Sequence, residues 1–583
     1  MAEDTKNNTP DETGARPAGV SRRYFLAAAG AGALAANMPS SHSGPANTAW
    51  KDKTDVVVVG SGAAAHTAAV SAAKRGCRVV MLEKAPYLGG TTAKSGGGWW
   101  APNNSLMRRD GMQDPREDAV KYMARCSFPT LYNPTSAFYG LREEDYSLLE
   151  AYYDNASAAT DELAAMGALQ ADYFIVSGKK FLDYYPQFPE NKAPQGRCLK
   201  PAGNYGNNLA GGAEMIRQLS KSAADMGVIV YLNHRVQDLI MDDKGEVVGV
   251  EAVHDGKTLQ FAAGKAVIFG SGGFTHNVEM AHDYLRGRIF GGCAVPTNTG
   301  DFVNIAIRAG AALGNMNNAW WSQIVLEHAL ATRSVPNDAF NLVGDSSMLV
   351  NRHGRRVVNE KTTYNERTQS HFIWDPVAGE YPNLLQYFVF DSRTARGPYN
   401  FNSYPVPPDG SIAPHEISGM TIAQLARNIE ERLAGLSGKL PLEAQLDPDF
   451  PHQLEETIRR FNDFANSGRD EDFHRGESPI DIYHGHDNGK PNPTMYPFSD
   501  QGPYYAVILA AGTLDTKGGP RINARAQVLD TNGNVISRLY GAGNCIASPA
   551  AQAYWAGGST LGCAITFGYL AGKHAAAEQR IKV

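Results

Sequence analysis

The sequence is poor in the residue patterns that bind metals or covalent haem. Its six cysteines stand singly along the chain, at Cys77, Cys126, Cys198, Cys293, Cys545 and Cys563. None of them forms a C-x-x-C pair or the C-x-x-C-H pattern of haem attachment, so we expect neither a zinc site nor covalent haem. The sequence alone leaves open whether any two of them form a disulfide.

The chain also lacks a strong net charge and a long apolar run. Its formal net charge of −6 gives no electrostatic footprint for nucleic acid, so we expect no nucleic-acid partner. The weakly apolar stretch that ends at Ala36 is far shorter than the roughly 20 residues that span a bilayer, so no transmembrane segment is predicted. A chain of 583 residues is too long for one ordinary core, and we expect at least two domains.

The first fifty residues read as a targeting segment rather than as part of a fold. A polar run ends in SRRYFLA, residues 21–27, and an Ala/Gly stretch and a Ser/Pro/Asn-rich linker follow. Arg22 and Arg23 ahead of such a stretch resemble a twin-arginine export signal; the alternative is a disordered basic tail. That pathway exports folded proteins, which suits a protein that loads a cofactor first. We therefore predict a periplasmic protein, or a cytoplasmic one if the signal is not functional.

A dinucleotide-binding pattern follows in DVVVVGSGAAAHTAAVSAAKRGCRVVMLEK, residues 55–84. The valines predict a buried strand, Gly60 and Gly62 a tight turn, and the alanine-rich stretch a helix. Because Gly62 has no side chain, a pyrophosphate can reach the helix N-terminus. A second strand ends in Glu83, whose carboxylate can accept hydrogen bonds from a ribose diol. An acid at this position argues against a 2′-phosphate and hence against NADP.

A second loop of small residues, GGTTAKSGGGWW at residues 89–100, favours FAD over NAD, because it lets the backbone approach a large flat ring system. With AVIFGSGGF (266–274), NTGD (298–301) and LYGAGN (539–544), the chain resembles the FAD-dependent family of succinate dehydrogenases, fumarate reductases and 3-ketosteroid dehydrogenases. The resemblance covers nearly everything after residue 54. It implies an α/β fold in which a Rossmann-type FAD-binding domain is split by an inserted α+β substrate domain, with FAD bound non-covalently.

The resemblance also implies domain boundaries and FAD contacts. The predicted parts are a signal and linker at 1–50, FAD-binding segments at 54–320 and 501–583, and a catalytic domain at 321–500. The residues implied in FAD binding are Gly60, Gly62, Ala63, Ala64, Glu83, Lys84, Gly90, Thr91, Thr92, Ser95, Gly96, Gly97, Gly272, Gly543, Asn544, Ser559 and Leu561.

The segment QAYWAGGSTLG, residues 552–562, carries a tyrosine and glycines but no arginine or lysine. Enzymes of this family that act on dicarboxylates hold their anions with arginines and histidines, because a charged hydrogen bond is the strong way to hold a carboxylate. The family's H-P-T segment is also missing, and GNMNNAWWSQ (314–323) stands instead. We therefore predict a neutral substrate. A phenol and a backbone N–H, here Tyr554 and Gly558, can form an oxyanion hole for a ketone that becomes an enolate.

Tyr554 and the glycine four residues later, Gly558, make the chain resemble one branch of this family, the 3-ketosteroid Δ1-dehydrogenases. Further shared segments are AWW (319–321), DYYPQFP to QGR (183–197), VVNEKTTY (357–364) and GTLDTKGGPRI (512–522). The branch implies that Tyr554 and Gly558 bind the C3 oxygen and that Tyr364, as a phenolate, takes the C2 proton. The C1 hydrogen then leaves as hydride to FAD N5, and an external acceptor such as a quinone reoxidises the flavin. Trp555 departs from the branch, which usually has proline there.

Several assignments stay open on the sequence alone. Tyr364 without the resemblance reads as part of a hairpin and surface turn. Either Tyr184 or Tyr185 is the tyrosine expected to assist it. A base with an ordinary pKa of about 10 needs that pKa lowered, to which a neighbouring phenol can contribute. Trp320 and Trp321 are either core residues or walls of an apolar pocket.

Two other functions compete with a steroid dehydrogenase. One is a periplasmic reductase of a small unsaturated acid such as fumarate or urocanate, against which the missing arginine counts. The other is a non-catalytic flavoprotein that carries steroid or electrons. The several candidate catalytic positions in matching motifs count against that reading.

Overall fold

The computed structural model describes residues 50–205, 210–397 and 404–583. The predicted export signal, with Arg22 and Arg23, lies outside these residues. All six cysteines lie within them and are free thiols. No helix in the described part of the chain is both long enough and apolar enough to cross a membrane.

The strands of the described residues are β1 (Asp52–Val59), β2 (Val79–Leu82), β3 (Trp99–Trp100), β4 (Ala171–Tyr173), β5 (Ile175–Val176), β6 (Lys179–Lys180), β7 (Cys198–Pro201), β8 (Ile229–Tyr231), β9 (Arg235–Met241), β10 (Val247–His254), β11 (Lys257–Phe269), β12 (Gly291–Gly292), β13 (Leu313–Gly314), β14 (Ala319–Val325), β15 (Ser347–Val350), β16 (Leu385–Asp391), β17 (Glu416–Gly419), β18 (Tyr504–Thr516), β19 (Gly519–Pro520), β20 (Gln527–Leu529) and β21 (Val535–Gly541).

The α-helices of the same residues are α1 (Ala63–Lys74), α2 (Gly90–Lys94), α3 (Ser105–Arg109), α4 (Arg116–Ser127), α5 (Glu143–Ala165), α6 (Gly211–Asp225), α7 (Val278–Tyr284), α8 (Asp301–Arg308), α9 (Leu326–Ala331), α10 (Tyr364–Gln369), α11 (Ser392–Arg396), α12 (Ile422–Leu436), α13 (Phe450–Ser467), α14 (Pro479–Tyr483) and α15 (Ser559–Ala577).

The first large sheet is built around β1, whose valines are buried. β1 pairs in parallel with β2 on one side and with β11 on the other, and β8 and β21 extend the sheet in the same sense. Continuous apolar strands are typical of a parallel sheet covered on both faces. This order, with α1 connecting β1 to β2, confirms the predicted Rossmann-type α/β fold. The sheet combines strands from the first half of the chain with β20 and β21 from its last sixty residues.

The second large sheet is organised by β18, which pairs with β12, β14, β16 and β17. α12 and α13 cover one face of it with a separate apolar core. β18 begins at Tyr504, after the predicted domain boundary at residue 500, although its partners β14, β16 and β17 precede that boundary. The described residues form one compact unit, and the predicted domain boundaries stay a prediction.

Candidate active site

A cleft crosses the C-terminal edge of the first sheet and continues to the second. Its first part is lined by residues from nearly every predicted FAD segment: Gly60, Gly62, Ala63, Ala64, Glu83, Lys84, Gly90, Thr91, Thr92, Gly272, Gly543, Asn544 and Leu561. Its second part is lined by Ser95, Gly96 and Gly97 and again by Thr91, Thr92, Asn544 and Leu561. Ser559 lines neither part; it is buried, and its hydroxyl donates to the Ala556 carbonyl at 2.8 Å.

The turn after β1 has the shape that a pyrophosphate requires. Gly60 has φ +101°, and a Cβ there would lie 2.5 Å from the carbonyl oxygen of Gly270, so only glycine fits. Gly62 is the N-cap of α1 and lines the cleft beside Ala63 and Ala64. The positive end of the α1 dipole therefore faces the cleft, as phosphate binding needs.

Glu83 directly follows β2 and lies in the same part of the cleft, almost fully buried. The Ser61 hydroxyl donates to one of its carboxylate oxygens at 2.6 Å, and the Ala85 N–H donates to the other at 2.7 Å. A carboxylate can accept about four hydrogen bonds, so acceptor capacity remains for a ribose diol. Lys84 instead bonds Asp301 at 2.9 Å, which ties the NTGD segment to the end of β2.

Asp515 is a lining residue that the sequence reasoning missed, although it lies inside the quoted segment GTLDTKGGPRI. Its carboxylate accepts hydrogen bonds from the Gly273 N–H at 3.0 Å and from the amides of Asn298 at 2.7 Å and Asn544 at 3.1 Å. Four separate motifs therefore meet at one buried acid. An acid inside an otherwise apolar strand was the available signal, because buried charges need partners. Other lining residues that were not predicted include Ser61, His234, Asn298, Asp301, Thr560 and Ala564.

Three phenol rings meet at the far end of the cleft. The ring of Tyr554 lies 5.3 Å from that of Tyr184 and 5.4 Å from that of Tyr364, and each pair is edge-on. The hydroxyl of Tyr184 donates to that of Tyr364 at 3.0 Å. All three residues are buried and line the same cavity as Gly558. The sequence-predicted tyrosines are thus brought together, although they lie 180 and 190 residues apart in the chain.

The backbone explains why Tyr184, and not Tyr185, belongs to this group. Asp183 forms a β-bridge with Ala556, and the Tyr184 N–H donates to the Trp555 carbonyl at 3.0 Å. Successive side chains of an extended segment point to opposite sides, so Tyr185 faces away. The Tyr185 ring stacks on Phe188 at 5.0 Å instead.

A buried ion-pair group fixes this segment. The guanidinium of Arg197 donates to Asp183 at 2.7 Å and to Asp114 at 2.6 Å, and the Trp100 indole N–H donates to Asp183 at 2.9 Å. Asp183 and Arg197, the first and last residues of the segment that resembles the family, therefore form an ion pair with each other. Breaking a buried pair of this kind costs about 3–5 kcal/mol, so the position of Tyr184 is strongly determined.

Tyr364 is the first residue of α10 and is buried, which corrects the reading of its segment as a surface turn. The preceding residues act as internal anchors. Glu360 pairs with Arg356 at 2.8 Å and with Arg475 at 3.1 Å, and the Lys361 ammonium donates to the carbonyls of Leu342 and Gly344. The charges that suggested a surface are satisfied inside the protein.

Gly558 places a helix N-terminus beside Tyr554. It is the N-cap of α15, with φ +92°, and a Cβ at this position would lie 2.7 Å from the Cα of Trp99. Glycine is therefore required both by the backbone conformation and by the close approach. The N-terminal turn of α15 continues into the FAD part of the cleft through Thr560 and Leu561.

Burial raises the pKa of each of the three phenols, and the pKa of Tyr184 and of Tyr364 lies well above the usual range. The expectation that the pKa of Tyr364 is lowered is therefore wrong for the protein as described. The physical cause is desolvation, which disfavours the charged phenolate.

The two tryptophans of β14 form parts of the core behind the cavity. The Trp320 ring lies 4.9 Å from that of Tyr554, and its indole N–H donates to Asn544 at 2.9 Å. Trp321 packs edge-on against Phe372 at 4.8 Å. Neither lines the cavity, but Trp320 supports Tyr554 from behind.

The cavity wall combines apolar and polar groups. Phe174, Phe181, Phe340, Leu514 and Leu561 supply the apolar part. Lys94, Asn337, Asp338, Asn341, Thr363 and His484 supply polar groups. Among these described lining residues none is arginine, in agreement with the sequence. Lys94 lines the same cavity as Tyr554, which the sequence reasoning did not predict, and its ammonium donates to the Val335 carbonyl at 2.5 Å.

Comparisons with known proteins agree with this architecture. The family model of the FAD binding domain matches residues 55–561. The chain is 32% identical to a 3-oxosteroid 1-dehydrogenase of Mycolicibacterium smegmatis, over 89% of this chain and 96% of the relative. It is 31% identical to a 4-oxocyclohexanecarboxylate 2-dehydrogenase of Sinomonas cyclohexanicum, over 90% of this chain and 93% of the relative.

Among solved structures, the chain is similar to a 3-ketosteroid Δ1-dehydrogenase of Sterolibacterium denitrificans in complex with 1,4-androstadiene-3,17-dione. The TM-score is 0.74 at 26% identity, over 90% of this chain and 100% of that chain. The glycine turn, the acid after β2 and the continuous cleft fit a dinucleotide with a large ring system. The chain therefore belongs to the flavoprotein family that carries the FAD binding domain, within its 3-oxosteroid 1-dehydrogenase branch, and its cofactor is FAD.

Proposed function

We propose that the protein is an FAD-dependent dehydrogenase that introduces a C1–C2 double bond into 3-ketosteroids. The observation that carries the proposal is the group of three buried phenols beside Gly558, at the end of the FAD cleft. A ketone oxygen between the Tyr554 hydroxyl and the Gly558 N–H has two donors in a site shielded from water. Fixed donors of this kind stabilise an oxygen most when negative charge develops on it, as it does on the oxygen of an enolate.

The residues divide the chemistry by position. Tyr554 and Gly558 polarise the C3 ketone, which makes the neighbouring C2 proton acidic. Tyr364 takes that proton and must therefore be a phenolate before the reaction. Tyr184, whose hydroxyl donates to that of Tyr364, stabilises this phenolate. FAD, when bound, supplies the acceptor for the hydride that leaves C1.

The raised pKa of Tyr364 gives the reaction a definite pH dependence. The group is active only as a phenolate, and burial keeps it protonated at neutral pH. The rate of flavin reduction is therefore expected to rise with pH across the neutral and alkaline range. This behaviour agrees with a general base whose pKa lies above the working pH.

The test is a screen of 3-ketosteroids with an artificial electron acceptor, using the purified flavoprotein. We expect saturable reduction of the acceptor and a product with a new 1,2-ene, identified by its mass and ultraviolet spectrum. Fumarate and urocanate serve as comparison substrates with reduced flavin. Oxidation of reduced flavin by either acid, without activity on any ketosteroid, would contradict the proposal.

Two observations favour a second candidate, the dehydrogenation of a smaller cyclic ketone that carries a carboxylate. The Sinomonas relative bears the name of such an activity, and Lys94 lines the same cavity as Tyr554. The screen therefore includes 4-oxocyclohexanecarboxylate. Turnover of this acid with no turnover of steroids would favour the second candidate.

The electron acceptor and the location complete the proposal. We propose an external quinone as acceptor and export by the twin-arginine route, on the basis of Arg22 and Arg23 in the sequence. Arg22→Lys with Arg23→Lys preserves both positive charges, so a tail that acts only through its charge should keep its function. The double variant is expected to stay in the cytoplasm, folded and yellow, in cell fractionation. Normal export of the variant would contradict the twin-arginine assignment.

A further inference from the structure

Lys517 is a buried lysine that the proposed mechanism does not use. It follows β18 directly, and its side chain is fully buried. Its ammonium donates to the carbonyl of Ala553 at 2.5 Å and lies 3.8 Å from the centre of the Trp320 ring. Within the described residues it has no carboxylate partner at ion-pair distance. A buried cation without an ion pair is costly, and such groups concentrate at functional sites.

Both contacts of this ammonium lead to Tyr554. Ala553 is the neighbour of Tyr554 in the chain, and the Trp320 ring packs against the Tyr554 ring at 4.9 Å. The backbone of Lys517 adds to the same support, because its N–H donates to Asn318 at 3.0 Å and its carbonyl accepts from the Ser548 N–H at 2.9 Å. Lys517 thus joins β14, which carries Trp320, to the loop that carries Tyr554.

We propose that Lys517 is a positioning residue that holds the Tyr554 hydroxyl on the ketone through Ala553 and Trp320. The assignment rests on the proposed function insofar as it concerns a ketone. The placement of a charge behind Tyr554 is independent of any substrate. It predicts that the chemical shift of the Tyr554 phenol changes when Lys517 gains or loses its proton.

The charge of Lys517 is expected to change near neutral pH. Burial lowers the pKa of its ammonium to about 7. The other charged or titratable groups that face it are Glu366 from α10, Cys563 from α15 and Arg286 from the loop after α7. Burial raises the pKa of Cys563 to about 12, so this thiol does not titrate in the same range. Asp338 lines the same cavity as Tyr554, and burial raises its pKa to about 7. The experiment must therefore separate both Glu366 and Asp338 from Lys517.

The test uses the full FAD-loaded protein labelled with [13Cζ]tyrosine, without substrate. The signal of Tyr554 is assigned by its loss in Tyr554→Phe, and its shift is followed from pH 5.5 to pH 9. We expect a titration with a midpoint near 7 that persists in Glu366→Gln and in Asp338→Asn. It should disappear when Lys517→Met is combined with Asp338→Asn. Lys361→Met is the matched control, because Lys361 is also a buried lysine that donates to backbone carbonyls. That variant is expected to be less stable but to keep the Tyr554 titration.

A kinetic readout distinguishes support of catalysis from support of the fold. With a ketosteroid that the parent protein oxidises, Lys517→Met is expected to slow flavin reduction roughly tenfold or more, with FAD content retained. Lys517→Gln, which keeps a donor for the Ala553 carbonyl, is expected to bind steroid better and to reduce its flavin faster than Lys517→Met. It also replaces Lys517→Met should that variant fail to retain FAD.

Three results would overturn the proposal. One is a Tyr554 signal in the parent protein that does not titrate between pH 5.5 and 9. Another is a titration that persists in Lys517→Met combined with Asp338→Asn, or that disappears in Glu366→Gln or in Asp338→Asn alone. The third is flavin reduction in Lys517→Met at the parental rate. A parent protein that oxidises no ketosteroid contradicts the proposed function, while the labelling experiment still decides the role of Lys517.

Discussion

The three phenols of the site differ in what each hydroxyl contacts, so removal of one oxygen at a time separates their roles. Tyr364→Phe is expected to lower the rate of flavin reduction a hundredfold or more, in the range for loss of a general base. Steroid affinity should change little, because Tyr364 is assigned to the C2 hydrogen. Tyr554→Phe removes a donor to the ketone, so both affinity and rate should fall. Stopped-flow flavin reduction and steroid titration measure the two effects. Reduction of Tyr364→Phe by steroid at the parental rate would exclude Tyr364 as the base.

The neighbouring pair Tyr184 and Tyr185 offers a matched comparison within one segment. Tyr184→Phe removes the hydroxyl that donates to Tyr364 at 3.0 Å, so the pH at which flavin reduction becomes fast should shift upward. Tyr185→Phe changes a ring that stacks on Phe188 outside the cavity and should leave the pH profile unaltered. The measurement is the pH profile of the reductive step in both variants. Equal effects of the two substitutions would contradict the assignment of Tyr184.

Asp338 gives the protein a pH-dependent stability. Its side chain is 1% exposed, and burial raises its pKa from 3.8 to about 7. Between these two pH values the folded protein keeps a proton that the unfolded chain releases. The resulting contribution of Asp338 to the free energy of unfolding is fully present below about pH 4 and is lost as the pH rises through 7. Each unit of pKa difference is worth about 1.4 kcal/mol. Asp338→Asn removes the dependence.

Urea unfolding of the parent and of Asp338→Asn at pH 5 and at pH 8 measures this contribution. The stability of the parent relative to the variant should be greater at pH 5. Ser322 and Cys293, which hydrogen-bond Asp338, are unchanged in both proteins and cancel from the comparison. The same difference at both pH values would show that Asp338 does not titrate between them.

At the scale of elements, the N-terminus of α15 links the ketone site to the FAD cleft. Gly558→Ala introduces a Cβ 2.7 Å from Trp99 in a backbone conformation with φ +92°. Gly533→Ala is the control, because Gly533 has φ +84° but open space around its Cβ. The control should lose about 1 kcal/mol of stability from the backbone alone. Gly558→Ala should in addition lose ketone affinity and turnover, measured by titration and steady-state kinetics. Equal behaviour of the two variants would contradict a special role of the α15 terminus.

The elements also show which parts of the site local sequence can predict. The strand, turn, helix and acid from β1 to Glu83 follow from local periodicity and from glycine positions, and the structure confirms them. The choice between Tyr184 and Tyr185 depends on a bridge between Asp183 and Ala556, which no local pattern contains. The same holds for Asp515, whose partners come from three other segments of the chain.

At the scale of the whole molecule, the fold class was predictable because the FAD motifs recur in a fixed order along the chain. The extent of the second sheet was not predictable, because β18 belongs to it only through pairing with strands that lie more than a hundred residues earlier in the chain. The raised pKa of Tyr364 also escaped prediction. It depends on burial by the whole assembly rather than on its neighbours in sequence.

The way in which FAD is held is also a property of the whole molecule. We predict one non-covalent FAD per chain, bound by the turn at Gly60 and Gly62 and by the acid Glu83. Acid precipitation should release all of the yellow colour into the supernatant, measured by absorbance. Flavin that stays in the pellet would contradict non-covalent binding, and a protein purified without flavin would contradict the FAD assignment.

The sheet around β1 has a consequence for how the protein is made. Gly60 and Leu561 line the same cleft, but they lie about 500 residues apart in the chain. At a synthesis rate of about 5–20 residues per second, roughly half a minute to two minutes separate their appearance at the ribosome. During that interval the phosphate-binding turn exists without the strand β21 and the helix α15 that complete it. Tight cofactor capture is therefore a late event in the life of each molecule, and a ribosome that stalls before the last helix releases a chain that cannot retain FAD.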